Sequence, residues 1–134
     1  MIVLDASVAI EMLLATPTGH LVEQRVRGPR EQLHAPHLLS VEVASVLRRY
    51  ARSGSVEPGV AGSALDDLAR LRVRRWAHEP LLERVWEMRE SLSAYDAVYV
   101  ALAELLGAPL LTTDRRIAGS GMSRARIEVV ETIT

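Results

Sequence analysis

Short β-branched apolar runs alternate with longer stretches of helical apolar spacing along most of the chain. "IVLD" (2–5) reads as a strand, and "ASVAIEMLLA" (6–15) as a helix with Ser7 as its N-cap. Pro17 and Gly19 break that helix, and a short polar one follows over about 19–27. "QLHAP" (32–36) is a brief strand. "PHLLSVEVASVLRRYARSG" (36–54) is a strong helix, closed by Gly54 with Arg in its last turns. A weaker helix over 57–71 contains Gly62. Strand 72–77, helix 80–92 with Pro80 in its first turn, and helix 93–106 stopped by Gly107 come next. Strands at 108–114 and 125–131 complete the pattern. Strand–helix alternation of this kind predicts an α/β domain, with a mainly parallel sheet and helices on both faces. Segments 16–20, 53–59 and 117–124 read as the loosest, and no domain boundary is expected within 1–134.

Composition narrows the function. The hydrophobic fraction of 49% and charged fraction of 25% belong to a chain that folds around a core. No apolar run approaches the roughly 20 residues that span a bilayer. The start lacks a basic n-region and carries Asp5 within its apolar stretch, so a cytoplasmic protein is expected. Without Cys there is no disulfide, thiolate zinc site or thiol nucleophile. All sixteen basic residues are Arg, so a P-loop, which needs its Lys, is excluded. Receiver domains and haloacid-dehalogenase-type phosphatases also end a first strand with Asp, but both use a Lys at the phosphoryl site. The net charge of −1 argues neither for nor against nucleic acid.

Four acids stand where apolar residues are expected. Asp5 and Asp114 end strands, and ligands of parallel α/β sheets bind outside strand carboxyl ends. Glu42 lies in the strongest helix among Leu38, Leu39 and Val46. Asp96 shares a helical face with Tyr99, Val100 and Ala103. Each has a plain local reading: a turn residue for the strand ends, a dipole partner for Glu42, and for Asp96 the N3 position of a box capped by Ser93. Four together are harder to explain that way, because an isolated buried carboxylate is costly. Clustered, they would repel one another, and a hard divalent cation, Mg²⁺ or Mn²⁺, would relieve the repulsion. Such a site suits hydrolysis of phosphate esters.

"VLDASVAIEML", "LLSVEVASVL" and "SAYDAVYVALAELLGAPLLTTDRR", in that order and spacing, resemble a PIN-domain ribonuclease. The closest type is the VapC toxin of bacterial toxin–antitoxin pairs, and the resemblance covers essentially the whole chain. It implies a five-stranded parallel sheet and metal-dependent endonucleolytic cleavage of RNA. Position by position, Asp5, Glu42, Asp96 and Asp114 match the family's four acids. Asp5 and Asp96 are the expected direct ligands of Mg²⁺ or Mn²⁺. Asp114 and Glu42 would complete the cluster, hold metal-bound water or serve a second ion. Ser7 and Thr112 match small hydroxyl positions, with capping or strand-end roles equally open. Many relatives carry another acid or Asn beyond the fourth acid; here "RRIAGSG" follows, and Arg115 and Arg116 could meet substrate phosphates or form a solvated turn. The resemblance also implies a cognate antitoxin and a homodimer. Two other readings stay open: a PIN-like module that binds RNA or protein without cutting, and a metal-dependent phosphatase or DNA nuclease.

Other features carry less. His34 and His37 lack further ligands for zinc. No Ser sits in a G-x-S-x-G elbow. Five aromatics and no Phe make a base-stacking sheet improbable, and Trp76 and Trp86 are expected in core or interface. Arg48, Arg49 and Arg52 cluster at a helix end, complementing its dipole or tracking phosphates.

Overall fold

The computed structural model describes residues 1–133. Its five strands are β1 (Ile2–Leu4), β2 (Leu33–Pro36), β3 (Val73–Trp76), β4 (Leu110–Thr112) and β5 (Ile127–Val129). They form one sheet in the order β3-β2-β1-β4-β5, with every neighbouring pair parallel. The helices are α1 (Ala6–Leu13), α2 (Pro17–Val26), α3 (Leu38–Ser53), α4 (Pro58–Arg70), α5 (Leu82–Glu87), α6 (Ala94–Leu106) and α7 (Arg115–Ala118). A 3-10 turn at Glu79–Leu81 leads into α5.

β1 is central. Ile2, Val3 and Leu4 are all buried, although successive strand residues point to opposite faces, so helices cover both faces as expected. Each such side chain stabilises the fold by about 1.5–3 kcal/mol through burial. α6 packs across β1, β2 and β4, and Ala97 to Ala103 along it are all buried. Strand order reverses between β1 and β4. The crevice at their carboxyl ends is therefore the topological switch point, where ligands of such sheets bind.

Local signals explain most boundaries. Ser93 caps α6 by accepting from the Asp96 N–H at 3.2 Å, and Gly107 ends the helix with φ +61°. Gly54 ends α3 in the same left-handed conformation, φ +81°. Segment 16–20 is not loose: Thr16 caps α2, which folds back tightly on α1. A Cβ on Gly19 would lie 2.0 Å from the Glu11 carbonyl oxygen, so only Gly permits this approach.

Several boundaries differ from the sequence reading: α2 begins at Pro17, two residues earlier than expected, β4 and β5 are shorter than expected, and three further differences have clear causes. The first helix is capped by Asp5, not Ser7: the Asp5 carboxylate accepts from the Val8 N–H at 3.2 Å, and Ser7 lies inside α1. The helix expected over 80–92 stops after Glu87. Hydrogen bonds such as Arg89 N–H to Trp86 O and Ser91 N–H to Met88 O tighten the chain into turns before Ser93 begins α6. Residues 115–118, expected at the edge of a loop, form the one-turn helix α7, started by Asp114. No helix among the described residues is long and apolar enough to cross a membrane.

Candidate active site

The four acids gather at the switch point from four elements. Asp5 follows β1, Asp114 follows β4, Glu42 lies in the second turn of α3, and Asp96 is in the first turn of α6. Their mutual influence runs in series: the charges of Asp5 and Asp96 act on Glu42, and that of Asp114 acts on Asp96.

Asp5 is 6% exposed. Burial pushes its carboxyl above the usual range, although hydrogen bonds from Ser7, Thr112 and the Val8 N–H favour the charged form. The Ser7 hydroxyl donates to Asp5 Oδ1 at 2.5 Å and accepts from the Thr113 N–H at 2.9 Å. It thereby ties the end of β1 to the end of β4. Thr112 is fully buried, and its hydroxyl also accepts from the Asp114 N–H at 2.9 Å. Ser7 and Thr112, read from the sequence as small hydroxyl positions, thus make hydrogen bonds at the two strand ends.

Glu42 is half-buried, and burial raises its carboxyl against a lowering by Tyr99. The buried Tyr99 hydroxyl donates to Glu42 Oε1 at 2.5 Å. Burial and the adjoining carboxylates drive the phenol's own ionisation far up, so it remains a donor. Sequence reasoning placed Tyr99 only as an apolar neighbour of Asp96. The usable signal was its hydroxyl, which needs a partner once buried.

Asp96 is half-buried and is raised by burial and then by Asp114. Asp114 behaves oppositely. The Arg116 guanidinium donates to it at 2.6 and 3.1 Å and holds it below the usual range. Arg115 is turned to Glu131 instead. Among the described residues, no three His, Asp or Glu side chains are already grouped to hold one ion. The acids are electrostatic neighbours, with Asp114 drawn into its pair with Arg116.

Away from this crevice, His34 is buried in the sheet and accepts from Trp76 Nε1 at 3.0 Å. His37 faces His78 edge-on.

The PIN domain family model matches residues 2–119. The chain is 41% identical over 130 residues to ribonuclease VapC12 of Mycobacterium tuberculosis, covering 97% of this chain and 99% of that one. PAE2754 from Pyrobaculum aerophilum shares the fold with a TM-score of 0.69 and 28% identity, covering 96% of this chain and 83% of that one. VapBC2 from Rickettsia felis, crystallised with a DNA fragment from its promoter, matches with a TM-score of 0.70 at 13% identity. That match covers 98% of this chain and 100% of the other, and at such identity it speaks for the fold alone. A five-stranded parallel sheet, four acids at its switch point and these likenesses agree: the chain belongs to the PIN domain family and, within it, to the VapC group.

Proposed function

We propose that the protein is a metal-dependent endoribonuclease, the toxin of a VapBC-type pair. The observation that carries this reading is the crevice itself. It holds four neighbouring carboxylates, three of them raised above their usual range, and only Asp114 has a cationic partner. The near full-length likeness to a VapC ribonuclease supports RNA as the substrate.

The residues fit a divalent cation. The donors are all hard carboxylate oxygens, and the charge they concentrate is unfavourable until a cation offsets it. Asp5, Asp96 and Asp114 would hold Mg²⁺ or Mn²⁺, with Asp114 leaving Arg116 to join them. When bound, the ion polarises the phosphodiester and stabilises charge developing on its oxygens. Ser7 and Thr112 keep Asp5 oriented. Tyr99 occupies Glu42 Oε1, leaving Oε2 to take a proton from the attacking water. Arg116, with its side chain 82% exposed, can turn from Asp114 to a substrate phosphate. Arg115, also exposed, is a second candidate for phosphate contact.

A cognate antitoxin protein and a homodimer belong to the same proposal. Exposed Leu82 and Tyr95 rim an apolar hollow of about 150 Å³ between α5 and α6, which supports a protein contact there. The test is cleavage of a mixed structured RNA pool with Mg²⁺ or Mn²⁺, with chelator, and with Asp96→Asn. The expected result is cutting that needs the metal and is lost in a folded Asp96→Asn. A partner-free wild type that never cuts RNA with either metal overturns the reading in favour of a non-cleaving module.

A further inference from the structure

A second hollow, of about 220 Å³, opens between α1 and α3 beside the acids. Ser7 and Thr113 line its near side. These are the residues whose hydrogen bond fastens Asp5 to the end of β4, so the hollow and the acid crevice share a wall. Ile10 and Val46 give it two apolar walls, Arg49 and Tyr50 line it from α3, and Glu11, whose carboxylate accepts from the Thr16 hydroxyl, lines it from α1. Glu42, Val46 and Arg49 recur on α3 at i, i+4 and i+7, so one helical face carries both the acid and the cation.

Arg49 is exposed, and its guanidinium takes part in no hydrogen bond or ion pair among the described residues. It lies about 10 Å along the helix axis from Glu42. That spacing suits a flanking phosphate of the same strand. Tyr50 is part-buried, and its hydroxyl has no partner among the described residues. Two aliphatic side chains, an aromatic wall and a free guanidinium at the rim match a nucleoside with its phosphate, with Glu11 already engaged by Thr16. Bases stack on aromatic rings, and Arg binds phosphate by charge and fork geometry.

We propose that this hollow is a flanking-nucleotide subsite: Arg49 binds the phosphate next to the scissile one, and the attached nucleoside packs on Val46 and Tyr50. It rests on the ribonuclease reading and adds to it a place where a neighbouring nucleotide is held.

Two variants test it, Arg49→Gln at the exposed rim and Tyr50→Leu, which keeps an apolar side chain against the core. Binding of a labelled single-stranded RNA is followed by anisotropy in chelator across a salt series, and cleavage kinetics are measured with Mg²⁺. Arg49→Gln is expected to weaken RNA binding and raise KM about 5- to 10-fold, with kcat little changed. The slope of log affinity against log salt should shrink by roughly 0.7, one phosphate contact on a single strand. Tyr50→Leu is expected to weaken RNA binding at least about 5-fold while leaving the salt slope unchanged. Unchanged binding and KM in Arg49→Gln overturn the subsite and leave the hollow to a protein segment. A fall in kcat at unchanged KM also overturns it, because it marks a change in the acids rather than a lost contact. A folded wild type that neither binds nor cuts RNA removes the ribonuclease reading and the subsite together, which separates that failure from the subsite's own.

Discussion

Helix α6 carries two carboxylates, one near each end, in opposite circumstances. Asp96, in the first turn, has no cationic partner of its own, and burial and Asp114 raise its carboxyl. Glu104, eight residues and about 12 Å further along, is also penalised by burial. Yet Arg84 donates to it at 2.8 and 3.0 Å, the Arg124 N–H adds a bond at 2.9 Å, and its carboxyl ends below the usual range. One end of the helix sets a carboxylate beside the strand-end acids, where the Arg116 charge offsets burial and Asp114 only in part, and the other locks α5 and the 122–124 segment to the domain. A carboxylate that is satisfied supports structure; one left unsatisfied is available to a ligand.

The largest expected effect sharpens this contrast through activity. Asp96→Asn should lower RNA cleavage by at least about 100-fold, whereas Glu104→Gln should stay within about twofold. Equal losses in an oligonucleotide assay would break the distinction between the two ends.

Metal comes next. Divalent ion at a hundred times its Kd should stabilise the wild type by about 2.7 kcal/mol in thermal or urea unfolding. Glu104→Gln should keep that gain, and Asp96→Asn should lose most of it.

Stability without metal should divide the other way. Glu104→Gln is expected to cost about 1–3 kcal/mol near neutral pH, because a charged hydrogen-bond set is broken in a part-buried place. Glu104 has its carboxyl lowered in the folded state. Its contribution is therefore present above the unfolded carboxylate range and is lost as pH falls through the folded value. Urea titrations should show wild type and variant converging in acid.

The smallest effect has the opposite sign. Asp5, Glu42 and Asp96 are raised, so the stability they contribute is fully present below the unfolded carboxylate range and is lost as pH rises through their folded values. Metal-free Asp96→Asn should accordingly be as stable as wild type, or slightly more so, at neutral pH. Asn keeps the size of the side chain and removes its charge. A clear loss of stability would mean that Asp96 serves chiefly as a helix-start residue.

Much of this arrangement was legible along the chain. Ser93 and Gly107 mark the ends of α6 because capping depends on residues within one turn of each other. The central strands β1 and β4 stand out because buried parallel strands need short apolar runs, and β3 because its residues alternate. Asp5 and Asp114 were assigned to strand ends for the same local reason. α5 was read too long because the apolar spacing continues past Glu87, while the need to reach the start of α6 bends the backbone earlier.

By itself, the sequence determined the alternation of elements, the α/β class and four acids at positions a core would not choose. These follow from local propensity and the period of apolar residues. Only the tertiary structure decided which of those acids are neighbours. It made Asp5 rather than Ser7 the cap of α1, gave Glu42 to the Tyr99 hydroxyl, and turned Arg116 onto Asp114. Each outcome rests on which hydrogen-bonding group remains unpaired once distant strands have closed into a sheet. Tyr99 and Glu42 are 57 residues apart, and only that closure brings them together.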